Sequence, residues 1–136
     1  MTSAPSTPAV GDRVSFRKTM TVAEQAMFTG ISGNLGPLHV DEVRARAAGA
    51  SGMVAFELAV AALATTCLSR LGGPARRIGR LDLAFPAMVP VGTTVEASAL
   101  VTRAADGILT CRIACILDGG PVVVEGTADL VPVAGA

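Results

Sequence analysis

Met53-Val54-Ala55-Phe56-Glu57-Leu58-Ala59-Val60-Ala61-Ala62-Leu63-Ala64-Thr65-Thr66-Cys67-Leu68 is the stretch whose reading decides the fold. Its only charge is Glu57, and glycines bracket it at Gly52 and at Gly72-Gly73-Pro74. It is too short and too interrupted to span a bilayer, so it is predicted as a long buried helix. The chain changes character after it. Arg76 to Phe85, Thr93 to Arg103, Leu109 to Leu117 and Val122 to Val131 are β-rich, separated by Pro86…Pro90-Val91-Gly92, Ala105-Asp106-Gly107 and Asp118-Gly119-Gly120-Pro121. Asp-Gly pairs between such runs signal hairpins. The expectation is an α+β fold in which an antiparallel meander wraps one dominant helix.

Upstream of that helix, Arg13 to Lys18 reads as a short strand. Thr21-Val22-Ala23-Glu24 has the form of a capping box, opening a helix that runs through Phe28 to about Ile31 and ends at Gly33. Asn34 to Leu38 reads as loop, Asp41 to Ala48 as a short helix closed by Gly49, and Ala50 to Gly52 as a connector. Residues 1–12 are expected to be a flexible N-terminal segment and 13–133 a single domain.

Composition narrows the function classes. Formal net charge is zero, there is no Trp or Tyr, and there are four Phe. A nucleic-acid binder needs a basic footprint and stacking platforms, so that class is excluded. The start of the chain lacks the basic and apolar regions of an export signal, and no membrane association is expected. Cys67, Cys111 and Cys115 are odd in number and without metal-ligand spacing. They are expected to be buried, reduced and unligated, which fits a cytoplasmic protein. The high apolar content of a short chain points to surface covered by a second copy, hence a homodimer.

The only histidine, His39, lies in Ser32-Gly33-Asn34-Leu35-Gly36-Pro37-Leu38-His39-Val40-Asp41-Glu42. A lone imidazole just after a Gly/Pro-broken loop is a candidate acid/base group. This run resembles the signature of the MaoC-like, (R)-specific enoyl-CoA hydratase branch of the hotdog-fold superfamily: Ser-Gly-Asp-x-Asn-Pro-Ile-His, a short helix, then Ala-His-Gly-Met-Leu opening the central helix. Ala45-Arg46-Ala47-Ala48-Gly49 resembles the family's connecting helix. Phe85-Pro86-Ala87-Met88-Val89-Pro90-Val91-Gly92 and Glu125-Gly126-Thr127-Ala128 resemble later sheet turns. The resemblance implies a hotdog fold, a dimer with its site near the interface, and an acyl thioester of coenzyme A or of an acyl carrier protein as substrate. No further cofactor is implied, because coenzyme A or phosphopantetheine arrives as part of the substrate.

The departures from that signature concern chemistry. The family's aspartate falls at Asn34, its asparagine at Gly36, and its Ala-His-Gly at Ala55-Phe56-Glu57. An amide cannot accept a proton at neutral pH, so Asn34 can orient a substrate or a water but cannot act as base. Glu57 replaces the glycine whose N–H helps hold the thioester oxygen, at the beginning of the central helix. A second register, Gly52-Met53-Val54-Ala55-Phe56-Glu57, resembles the Gly-x-x-x-x-acid pattern of hotdog dehydratases and thioesterases, with the acid one turn inside the helix.

The expected catalytic residues are therefore His39, Glu57 and Asn34. Gly36, Gly52, Phe56, Arg76 and Arg77 are the expected substrate-binding residues, the two arginines toward phosphate or a phosphopantetheine region. Three activities remain open: addition or elimination at the β-carbon of an acyl thioester, thioester hydrolysis through Glu57, and non-catalytic acyl-thioester binding.

Overall fold

The computed structural model describes residues 7–133. The elements run β1 (Arg13–Thr19), α1 (Val22–Ser32), α2 (Pro37–Val40), α3 (Glu42–Ala47), α4 (Glu57–Gly72), β2 (Arg76–Ala84), β3 (Thr94–Ala105), β4 (Ile108–Leu117) and β5 (Val122–Pro132). All five strands form one antiparallel sheet in the order β1-β3-β4-β5-β2. The sheet packs on α4. This is the hotdog arrangement, and it is α+β as the sequence implied. Of the N-terminal stretch 1–12, residues 1–6 lie outside the described residues. Ala9–Asp12 form a turn tied to β3 through Gly11 N–H to Val101 O and Val101 N–H to Asp12 O, both at 2.9 Å.

The strand pattern explains the core. Along β3, Val95, Ala97, Ala99 and Val101 are buried, and along β4, Leu109, Cys111, Ile113 and Cys115 are. This is the period of two that puts alternate residues on one face. A bulge between Val101 and Arg103 sets Thr102 out of register. Val60, Ala61, Leu63, Ala64, Cys67, Leu68 and Leu71 give α4 one buried face. Small residues on both sides, Ala61 and Ala64 on the helix and Ala97 and Ala99 on β3, let the helix lie close to the sheet. The hairpin expected at Asp106-Gly107 is present, with Ala105 paired to Ile108 and both turn residues at positive φ (56° and 78°). The three thiols are free and buried, as expected. Burial raises the pKa of all three, and that of Cys115 is pushed up to about 12.

Three expectations are corrected. Only β3–β5 form a meander, because β2 leaves at the far edge and pairs with β5. The segment after β2 is too long and proline-broken for a tight turn, and its backbone is committed elsewhere. Ala55 N–H donates to Val89 O (2.8 Å), Val91 N–H to Met53 O (3.0 Å) and Gly92 N–H to Met20 O (2.6 Å). The same bonds correct the start of the central helix. Residues 53–56 are extended, with a bridge between Val54 and Pro90, so α4 begins at Glu57. That is the first of the two registers; the acid does not sit one turn inside. Finally, part of the expected Asn34–Leu38 loop is helical, since Pro37, with its preset φ and no N–H to place, opens the single turn α2.

Gly126 is what permits the β2 edge. A Cβ there would run into the carbonyl oxygen of Asp82 on β2.

Candidate active site

The site is assembled at the N-terminal end of α4. The capping box at Thr21 is present: Glu24 accepts from the Thr21 N–H at 2.7 Å and from its hydroxyl, and Ala23 N–H donates to Thr21 Oγ1 at 3.2 Å. Lys18 completes the group with its ammonium 2.8 Å from Glu24, and it and Thr21 pull the carboxyl of Glu24 down to about 2. This fixes the start of α1. At its other end, Gly33 adopts the left-handed conformation (φ 73°) that turns the chain toward Asn34.

Asn34 Oδ1 accepts from Gly36 N–H at 2.9 Å, forming an Asx turn that leads into α2. Gly36 has a packing role as well. A Cβ on it would lie 3.1 Å from Asn34 Oδ1 and 3.4 Å from His39 Cδ2, so the missing side chain lets both border the same small space. α2 then presents His39, 8% exposed, on its last turn.

The imidazole is held on three sides. Nδ1 lies 2.7 Å from Val54 O. A carbonyl oxygen only accepts, so Nδ1 carries a proton, and in the neutral ring Nε2 is the nitrogen with the lone pair. Nε2 is 3.7 Å from the carboxylate of Glu57, whose side chain is half exposed. The flat face of the ring stacks on Phe56, with centroids 4.3 Å apart and planes at 24°. Phe56 packs in turn against Phe28 at 4.6 Å.

Glu57 is the first residue of α4, where a carboxylate interacts well with the helix dipole. The N-cap residue, Phe56, has no side chain that could cap this helix. Phe56 N–H is taken by Gln25 Oε1, leaving the N–H groups of Glu57, Leu58 and Ala59 without an intrahelical acceptor. Two hollows flank the pair. One, of about 160 Å³, runs past Glu57 and is lined by Val54, Val60, Phe85, Met88 and Val124. The other, wider and about 360 Å³, is lined by His39, Gln25, Val22, Leu35 and Met53.

The structure thus brings together His39, Glu57, Phe56, Gly36 and Asn34. Phe56 is 1% exposed and forms the floor beneath the imidazole. Gly52 faces the Glu42 carboxylate on α3, with 3.7 Å from its Cβ position to Oε1. Arg76 and Arg77 are not brought to His39 within this chain. They lie beyond the other end of α4, about 24 Å along its axis. There Arg76 donates to the carbonyls of Gly107 (3.3 Å) and Gly72 (3.5 Å), and Arg77 to that of Ile78 (3.3 Å). Sequence reasoning missed Gln25, and it missed Phe85 and Met88 as lining. The resemblance at 85–92 had marked the latter two only as a sheet turn.

The sequence and the fold have known counterparts. Residues 5–112 match the MaoC like domain family. The chain belongs to that family. It is 32% identical over 129 residues to an (R)-specific enoyl-CoA hydratase of Rhodospirillum rubrum, covering 92% of this chain and 89% of that one. Its fold superposes on the (R)-hydratase of A. caviae involved in PHA biosynthesis with a TM-score of 0.87, at 26% identity, covering 92% and 97% of the two chains. A MaoC-like dehydratase from Rhodospirillum rubrum superposes with a TM-score of 0.74 at 26% identity, over 91% and 92%. Among the described residues of this MaoC-like protein, no helix is long and apolar enough to cross a membrane.

Proposed function

We propose that this MaoC-like protein catalyses addition to, or elimination from, the β-carbon of an acyl thioester carried by coenzyme A or an acyl carrier protein. The observation that carries the reading is the imidazole of His39, held with Nδ1–H on Val54 O and with Nε2 3.7 Å from Glu57 at the start of α4. The relatives' hydratase and dehydratase chemistry supports the same reading.

In the hydration direction, Nε2 of His39 takes a proton from water as the oxygen bonds to the β-carbon of an enoyl thioester. The π electrons move toward the carbonyl, and the resulting enolate oxygen is stabilised by the free N–H groups at the first turn of α4. The imidazolium then returns its proton to the α-carbon. One residue acts as base and then as acid, so no second carboxylic acid is required. The Glu57 carboxylate, 3.7 Å away, stabilises the transient imidazolium. Asn34 fills the family's aspartate position with an amide. Its Oδ1 is engaged by Gly36 N–H, and its NH₂ group orients water or the thioester.

Thioester hydrolysis is the second reading, favoured by one observation: Glu57 presents a half-exposed carboxylate beside those same N–H groups. The unit proposed for either reaction is the hotdog domain 13–133. We propose a cytoplasmic homodimer. The free outer edge of β2, with Ile78 and Leu81 partly exposed, supports pairing, and the buried free thiols fit a reducing compartment.

The test follows a trans-2-enoyl-CoA with wild-type protein, His39→Ala and Glu57→Gln, reading enoyl absorbance and free thiol in parallel. Loss of the enoyl signal without thiol, abolished in His39→Ala, is the expected result. Thiol release that depends on Glu57 establishes the hydrolase instead. If neither signal depends on His39, on coenzyme A or on carrier-protein substrates, the assignment is wrong and a binding role is left.

A further inference from the structure

We infer that Gln25 is a positioning residue for His39: its carboxamide fixes the carbonyl that holds the imidazole, and so sets which ring nitrogen faces the substrate. The inference rests on the reading of His39 as the acid/base group.

Gln25 is the buried residue of α1, 4% exposed on a helix that otherwise keeps its side chains at or near the surface. Burying a carboxamide costs free energy unless each polar atom finds a partner, and a methionine of similar length would fill the space without that cost. Here both N–H donors and the carbonyl oxygen are engaged by backbone groups of the site. Nε2 donates to His39 O at 2.7 Å and to Val54 O at 3.0 Å, while Oε1 accepts from Phe56 N–H at 3.3 Å. These partners lie 14, 29 and 31 residues away along the chain. One side chain thus clamps the residue that bears the imidazole, the carbonyl that holds it and the residue on which its ring stacks.

Val54 O is the centre of this arrangement. It receives Gln25 Nε2–H and His39 Nδ1–H together. With the carbonyl fixed by Gln25, the neutral ring is held in the tautomer with Nδ1–H bonded, and its Nε2, 3.7 Å from Glu57, carries the lone pair. Without Gln25 the carbonyl and the 53–56 segment are free to tilt, and the Nε2–H tautomer, which has no lone pair on the catalytic nitrogen, gains population. Gln25 also occupies Phe56 N–H, so the N–H groups left for an oxyanion are those of the next three residues of α4.

The chain has a single histidine, so a long-range ¹H–¹⁵N spectrum of the imidazole reads His39 alone. The first measurement needs no variant and no substrate. At a pH where the ring is neutral, the wild-type protein is expected to show Nδ1 protonated and Nε2 unprotonated; an Nε2–H tautomer overturns the inference. The second uses Gln25→Met, with its melting temperature recorded. We expect a mixture of tautomers and a fall in kcat of about 10- to 100-fold, as for a displaced catalytic group, with KM changed less than about twofold. A variant that melts earlier yet keeps the wild-type tautomer and kcat shows Gln25 to be merely structural, and the inference fails. If the wild-type protein shows no His39-dependent turnover at all, the functional reading falls, while the tautomer spectra still decide whether Gln25 orients the ring.

Discussion

In the β3–β5 meander a period of two dictates the contacts, whereas at the N-terminal end of α4 no period relates the residues that meet. Val95, Ala97, Ala99 and Val101 are buried because they alternate. Gln25, His39, Val54 and Phe56 meet because side-chain atoms reach backbone groups 14 to 31 residues away in the chain. The first region spends its sequence on packing, the second on directed hydrogen bonds. Losses in the first should therefore appear as lost stability, and losses in the second as lost chemistry.

The sharpest way to break that contrast is to damage each region once. His39→Ala removes the group proposed as acid/base and is expected to cost roughly 100- to 10,000-fold in turnover of an enoyl thioester. Its loss of unfolding free energy should be smaller than that of the sheet variant Gly126→Ala, because Val54 O keeps its bond from Gln25. Gly126→Ala is the mirror experiment. The new methyl runs into the Asp82 carbonyl, so β2 must separate from β5, and about 3 kcal/mol of stability should be lost by urea titration. Equal stability losses in the two variants would show that the regions are not separable in this way.

A smaller effect sharpens the boundary between the regions. Lys18 on β1 and the Thr21 cap hold Glu24 at about 2, below its ordinary 4.5, so its charged form stabilises the folded state. That contribution is complete above about pH 4.5 and is lost as pH falls toward 2. Glu24→Gln should flatten the pH dependence of stability over that window, and Thr21→Ala should cost about 1 kcal/mol at neutral pH. The smallest expected signal is in the core. With Cys115 pushed up to about 12 and Cys67 and Cys111 also raised by burial, none of the three is a thiolate at neutral pH. A thiol reagent should label none of these cysteines in the native protein and all three in denaturant. Labelling of the native protein would mean that the sheet opens over α4.

The legibility of the chain divides along the same line. The Asp106-Gly107 hairpin could be read because its turn chemistry is local. The pairing of β2 with β5 could not, since it depends on Gly126 allowing an approach between strands distant in sequence. Met53 to Phe56 reads as helix by composition and is extended in the fold, because Val89 and Val91 compete for its backbone groups. His39 and Glu57 could be named from type and resemblance, and the fold adds their 3.7 Å separation. Arg76 and Arg77, expected from their place just after the central helix to meet phosphate, stand at the far end of α4 from His39 and Glu57.

By itself the sequence determined the α+β class, the five strand regions, the start of α1 and the Asp106-Gly107 hairpin. These depend on neighbours within a few residues, where spacing and side-chain chemistry suffice. Only the tertiary structure decided where α4 begins, which strand closes the sheet, which nitrogen of His39 carries the proton and why Gln25 is buried. Each of those outcomes is a competition for backbone hydrogen bonds between segments far apart in the chain, and such a competition has no winner until the fold brings the segments together.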